Sequence, residues 1–312
     1  MNIIPRISVG LVGLSFNSRY RLASMTRRHP RMGKAVRRIA FEGDDMAVIP
    51  KAGTARRRVE VDIGVDDPGD RNVAPTDLVK KVLLRSERIF VMDFCICRRS
   101  NGCKDYPESK GCVFIGKGTE RIPPEYGRFV SPEEACAYID ECDRLGLVHI
   151  IGRNKLDSIW LHTGDHRNLM TICNCCPCCC LWNMVRDIDR DISDTYKRMA
   201  GTEVSVDTEG CIGCGICMEG CFVRAISIVN GKCVLDADKC RGCGRCVEGC
   251  PTGSISLTYD PSLIDSEAER ILSLVNQRRL MSGQSSSGIG SWGRMAARAL
   301  LSRRHVLPIS QS

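Results

Sequence analysis

The chain has 312 residues, 21 of them cysteine, 43% hydrophobic, with a formal net charge of +8. That length allows two or three domains, and no stretch is long and apolar enough to span a membrane. Adjacent cysteines such as Cys178, Cys179 and Cys180 suit bridges poorly, so the thiol load excludes a disulfide framework and points to a reducing compartment.

From the N-terminus, residues 7–16 (ISVGLVGLSF) form a short apolar run, preceded by one arginine and followed by Arg19, Arg21, Arg27 and Arg28. This order argues against an export signal, and we expect a cytoplasmic protein. Residues 1–60, read as a basic N-terminal segment, carry 13 basic and 4 acidic side chains; residues 261–312, read as a basic flexible tail, carry 7 and 3. Such ends could dock an acidic partner or an anionic membrane surface. Aromatic residues are few in the N-terminal segment (Phe16, Tyr20, Phe41) and no nucleic-acid-binding motif is present, so no specific nucleic acid is expected.

Residues 61–201 read as a cysteine-rich α+β domain. A strand is expected over 88–94, followed by Cys95 and Cys97, then Cys103 and Cys112 in a loop rich in Gly, Asn, Asp and Pro. Gly116-Lys117-Gly118-Thr119 lacks a full phosphate-loop pattern. Ser131, Pro132 and Glu134 spell a capping box that opens a helix, and Gly146 closes it. Ala135, Tyr138, Ile139 and Cys142 share one face of that helix, so Cys136 and Cys142 are read as packing residues. Strands are expected over 147–151 and 158–162, and a second long helix over 181–199. His149, His162 and His166 are read as structural residues.

Between these elements stands CNCCPCCC: Cys173, Cys175, Cys176, Cys178, Cys179 and Cys180. Six cysteines in eight residues are not explained by packing. Soft thiolates select iron-sulfur clusters, zinc or Cu(I), so a further metal site is expected here. An additional iron-sulfur cluster is the first reading; structural zinc held by Cys95, Cys97, Cys103 and Cys112 is the alternative.

Residues 202–260 are the most explicit part of the chain. Cys211, Cys214, Cys217 and Cys221 form C-x2-C-x2-C-x3-C, and Cys240, Cys243, Cys246 and Cys250 repeat it. This is the spacing of bacterial two-cluster ferredoxins, in which the fourth cysteine of each run ligates the other cluster. Two 4Fe-4S clusters are therefore expected, one on Cys211, Cys214, Cys217 and Cys250, the other on Cys240, Cys243, Cys246 and Cys221. Pro251 follows the second run, but Phe222 stands at the matching place in the first. Strands are expected over 204–207, 225–229, 232–236 and 254–259, with Asn230-Gly231 forming a type I′ turn. Residues 283–291 read as a flexible linker, and 293–305 as either a short basic helix when docked or a disordered stretch.

FEGDDMAVIPKAG, CICRRSNGCKDYPESKGCVFIGKGTE, GLVHIIGRNKLDSIWL and NLMTICNCCPCCCLW together resemble an uncharacterised family of anaerobe iron-sulfur proteins. Members are similar in joining a cysteine-rich N-terminal domain with a CNCC-x-CCC motif to a dicluster ferredoxin domain. The resemblance spans roughly residues 10–260 and implies anaerobic redox metabolism in the cytoplasm. It brings no established reaction.

The expectation is an α+β chain: a cysteine-rich α+β domain, then a ferredoxin-type dicluster domain with short antiparallel strands. Its expected function is low-potential electron relay between two 4Fe-4S clusters and an N-terminal metal site, as partner or subunit of a larger oxidoreductase. One alternative is a reductase with a site-differentiated cluster at CNCCPCCC. Another is a redox-sensing nucleic-acid-binding protein.

Overall fold

A computed structural model describes residues 16–58 and 74–275, all within one compact unit. The apolar run before Phe16, the 283–291 linker and the 293–305 helix lie outside the described residues.

The strands in chain order are β1 (Asp45–Val48), β2 (Arg56–Arg57), β3 (Ile89–Met92), β4 (Val113–Ile115), β5 (Gly127–Val130), β6 (Val148–Arg153), β7 (Met170–Cys175), β8 (Tyr196–Arg198), β9 (Glu203–Val206), β10 (Ile226–Val229), β11 (Lys232–Leu235) and β12 (Ile255–Tyr259). Seven of them build one sheet in the order β5-β3-β4-β7-β6-β1-β8. Its neighbours are antiparallel except β1 and β8. The fold is mixed α+β, as expected.

The inner strands are apolar at nearly every position because both faces of the sheet are covered. On one face Val91, Val113, Ile151 and Ile172 pack with the helices Asp77–Leu84, Pro132–Arg144 and Ile264–Ser273. On the other, Met46, Val48, Val148, Ile150, Cys173 and Cys175 pack with Trp182, Ile188, Ile192 and Tyr196. The helix Pro132–Arg144 starts as its sequence predicts. The Ser131 hydroxyl accepts the Glu134 N–H at 3.1 Å, and the Glu134 carboxylate accepts the Ser131 N–H at 2.8 Å. Cys142 is fully buried in the core and Cys136 packs against it, in keeping with a packing role for both.

Residues 158–162 are not a strand. Lys155–Trp160 is a short helix, because the Asn154 side chain accepts the Leu156 N–H and caps it. Nor is 181–199 one helix. It divides into a 3-10 turn Leu181–Arg186, a single helical turn Arg190–Ser193 capped by Asp189, and strand β8. Trp182, Val185, Ile188, Ile192, Tyr196 and Met199 recur at helical spacing, yet Asp189 breaks the run, its side chain accepting the Asp191 N–H at 3.1 Å and starting a new helical turn.

The two basic ends are also more than arms in their described parts. Residues 45–48 are an inner strand of the large sheet. Arg56–Arg57 pairs in parallel with β12, extending the small β2-β12-β9 sheet of the ferredoxin segment. The helix Ile264–Ser273 buries Ile264, Ala268, Ile271 and Leu272, a spacing that lays one apolar stripe on the core. Residues 264–273 therefore belong to the fold and not to a flexible tail.

Candidate metal centres

The two halves of the ferredoxin segment repeat each other in space as well as in sequence. Gly215 and Gly244 share φ 81 and ψ −7, a left-handed conformation that favours glycine, and each starts a four-residue helix, Ile216–Glu219 and Arg245–Glu248. Between the halves, β10 and β11 form the expected hairpin. Asn230 (φ 50) and Gly231 (φ 73) both have the positive φ of a type I′ turn.

Two pockets open among these loops. One is lined by Cys211, Cys214, Cys217 and Cys250, the other by Cys221, Cys240, Cys243 and Cys246. Each pocket is thus lined by three thiols of one run and the fourth thiol of the other. The donor chemistry fits an iron-sulfur cluster, since each pocket offers at least four soft sulfurs. Burial holds the Cys240, Cys243 and Cys246 thiols above their ordinary range. A metal that takes them as thiolates must displace their protons.

Cys233 is a site residue that the motif did not reveal. It lies on β11, lines the first pocket as a fifth thiol, and stands 3.9 Å from Cys217 Sγ. Its backbone N–H points to Cys211 Sγ at 3.4 Å. The signal was available in the hairpin, where Cys233 and Leu235 alternate with Lys232 and Val234.

The two pockets face different surroundings. Cys214 is exposed, and Ile212, Ile216 and Met218 beside it are exposed apolar side chains. The second loop is docked against the rest of the chain. A Cβ on Gly244 would meet Thr54 Oγ1 at 2.0 Å, and one on Gly242 would meet Arg198 Cγ at 2.8 Å. Arg198 also donates to the Ala237 carbonyl at 2.7 Å, and Lys51 N–H donates to the Cys243 carbonyl at 3.0 Å.

Ten of the larger domain's twelve cysteines, all but Cys136 and Cys142, fall into two groups, and neither is the set Cys95, Cys97, Cys103 and Cys112. That set is split because Cys103 turns to the CNCCPCCC loop. Cys103, Cys176, Cys178 and Cys179 place their sulfurs all within 4.8 Å of one another, with Cys103 and Cys178 3.6 Å apart. Among the described residues, no other three cysteine, histidine, aspartate or glutamate side chains converge so closely.

The second group is a ring of six. Cys95 contacts Cys97, Cys97 contacts Cys180, Cys180 contacts Cys175, Cys175 contacts Cys173, and Cys173 contacts Cys112; Cys112 comes back within electrostatic reach of Cys95, which closes the ring loosely. Cys175 and Cys180 are 3.0 Å apart and Cys112 and Cys173 4.0 Å. Strand pairing makes part of this ring: the register Val113↔Ile172 carries Cys112 beside Cys173. Arg98, 0% exposed, lies among Cys95, Cys112 and Cys176. One terminal nitrogen donates to the Asn174 carbonyl at 3.0 Å and the other to the Lys110 carbonyl, while its Nε has no partner.

Among the described residues, His149 and His166 have oxygen partners of their own. His149 is buried between Asn174 (2.8 Å) and Asp143 (3.0 Å). His166 lies near Gly43 and Asp165.

A family model described as the 4Fe-4S dicluster domain matches residues 210–254. Comparisons with the curated proteins and with the solved structures gave no match. The matched segment supports an iron-sulfur protein with a 4Fe-4S ferredoxin-like segment. The convergent cysteines outside it form a candidate for a further metal site. Among the described residues no helix is long and apolar enough to cross a membrane.

Proposed function

We propose that the protein carries low-potential electrons between an external redox partner and the six-thiol ring, by way of the ferredoxin segment. In this reading Cys211, Cys214, Cys217 and Cys250 hold one 4Fe-4S cluster and Cys221, Cys240, Cys243 and Cys246 the other. Clusters there would supply one-electron steps at potentials set by burial and by hydrogen bonds to sulfur.

One observation carries the proposal. Phe222 and Arg245 line the second ferredoxin pocket, and the same two side chains line the small cleft containing Cys175 and Cys180. A single layer of side chains therefore separates the two thiol groups. Phe222, which replaces the usual proline, is buried in a core shared with Cys173, Cys175, Cys180 and Cys240. The first pocket, with Cys214 exposed among Ile212, Ile216 and Met218, supplies the face for a redox partner. The resemblance to an anaerobe family supports a reducing, oxygen-free setting.

The test is Cys243→Ser in anaerobically purified, metal-loaded protein, followed by rapid mixing with a low-potential donor. The Cys214 pocket should still be reduced, while reduction of the N-terminal centre slows. Unchanged reduction of the N-terminal centre would overturn the proposed route.

A further inference from the structure

We propose that the cysteine-rich domain holds two metal centres of different chemistry: a single zinc or iron ion on Cys103, Cys176, Cys178 and Cys179, and a separate polynuclear iron-sulfur cluster inside the six-thiol ring. The proposal deepens the electron-transfer reading and rests on it for the ring's redox role.

The division begins with strand geometry. Side chains alternate along β7, so Cys173 and Cys175 point to one face of the sheet. Cys176 packs with the core of the opposite face, as does Cys179. The turn at Pro177 then brings Cys178 and Cys179 to Cys103, and Cys180 returns to Cys175. Cysteines adjacent in sequence thus belong to different centres.

Spacing separates the chemistries. A zinc–sulfur bond of about 2.3 Å places tetrahedral sulfurs about 3.8 Å apart. Four sulfurs all within 4.8 Å fit one ion, with no room for a cubane between them. The ferredoxin quartets give an internal comparison, because neither meets that spacing, nor do any three thiols of the ring. The ring instead pairs its sulfurs, at 3.0 Å for Cys175 and Cys180 and 4.0 Å for Cys112 and Cys173, and it offers two thiols more than a cubane's four corners take.

A second observation points to bound anionic centres. Arg98 is a fully buried guanidinium with an unpartnered Nε, set between the ring and Cys176. A buried cation among neutral thiols is costly, whereas metal-bound thiolates give it counter-charge on both sides. Backbone N–H groups also point at sulfur in each group, from Cys179 to Cys176 and from Leu181 to Cys97, both at 3.4 Å. Such donors stabilise thiolate ligands.

The experiment measures iron, zinc and acid-labile sulfide in full-length protein purified without oxygen, as wild type, Cys178→Ser, Cys175→Ser/Cys180→Ser and Cys214→Ser. Cys178→Ser, at an exposed position, should lose one metal ion and no sulfide. The ring double variant should lose iron and sulfide while keeping that ion. Loss of the same iron and sulfide from both would mean one centre and would overturn the division; unchanged metal in both would overturn it equally. Iron and sulfide lost from Cys214→Ser alone would leave the ferredoxin reading standing while this inference fell. Unchanged iron in Cys214→Ser would instead sink the ferredoxin reading. Should the ring variant fail to fold, X-ray absorption on the wild type decides. Four sulfurs at about 2.3 Å with no metal neighbour are expected for the single ion, and a metal neighbour for all bound metal would contradict it.

Discussion

Arg245 donates from Nη2 to the backbone carbonyl of Cys175 at 3.1 Å, tying the helix that follows the Cys240–Cys243 loop to the end of β7. The two residues are 70 positions apart, and each belongs to a different thiol group. Arg245 also lies over the Phe222 ring. This contact places the second ferredoxin pocket against the ring.

Replacing Arg245 with alanine should leave metal content intact, since no ligand changes, but slow electron transfer from the ferredoxin segment to the N-terminal centre. Stopped-flow reduction at the two sets of cluster absorbances checks this. Equal rates in the variant would mean that the contact is structural only.

Cys233→Ala should keep the full iron count, because four other thiols line the same pocket. With Cys217 as a thiolate ligand, the Cys233 S–H is the donor across the 3.9 Å contact. Its loss removes stabilisation of the more negative reduced state, so that cluster's potential should fall. Anaerobic potentiometry of the two ferredoxin centres measures it.

Arg98→Met removes the buried cation and leaves the proposed thiolate centres without counter-charge. Breaking a buried charge pair costs about 3–5 kcal/mol. The variant should release metal from the cysteine-rich domain to a chelator faster than wild type, with the ferredoxin clusters unaffected. Uniformly faster loss from all centres would indicate general destabilisation instead.

Asp44 provides a prediction independent of metal. Burial pushes its carboxyl from 3.8 up to about 7, opposed by the Lys155 N–H that it accepts at 2.7 Å. The folded state thus holds this proton more tightly than the unfolded chain. Its contribution to stability is present below the unfolded value and is lost as pH rises toward about 7. Asp44→Asn keeps an acceptor without the charge. Between about pH 5.5 and about pH 8 it should gain about 2 kcal/mol relative to wild type. Denaturation at both values tests this, and a constant difference would contradict it.

What was legible in the sequence was local. The ferredoxin quartets follow from ligand spacing, the hairpin from Asn230-Gly231, and the helix Pro132–Arg144 from its capping box. Each is fixed by residues a few positions apart. The N-terminal groups were not legible because strand register assembles them. Nothing near Cys112 announces that β4 will pair with β7 and bring Cys173 beside it. Likewise Cys103 meets Cys178 across 75 residues. The helical spacing of Trp182 to Met199 misled because a turn, a short helix and an edge strand can bury the same positions. The role of residues 45–48 and 264–273 was hidden by the basic composition around them.

The most direct test is an anaerobic reductive titration of the full-length, metal-loaded protein, counting electrons accepted per chain while following cluster absorbance. Two ferredoxin cubanes accept about two electrons. The account predicts more than two, with the additional equivalents lost in Cys175→Ser/Cys180→Ser. Uptake that stops at two, unchanged in that variant, would show that only the ferredoxin segment is redox-active and would contradict the relay.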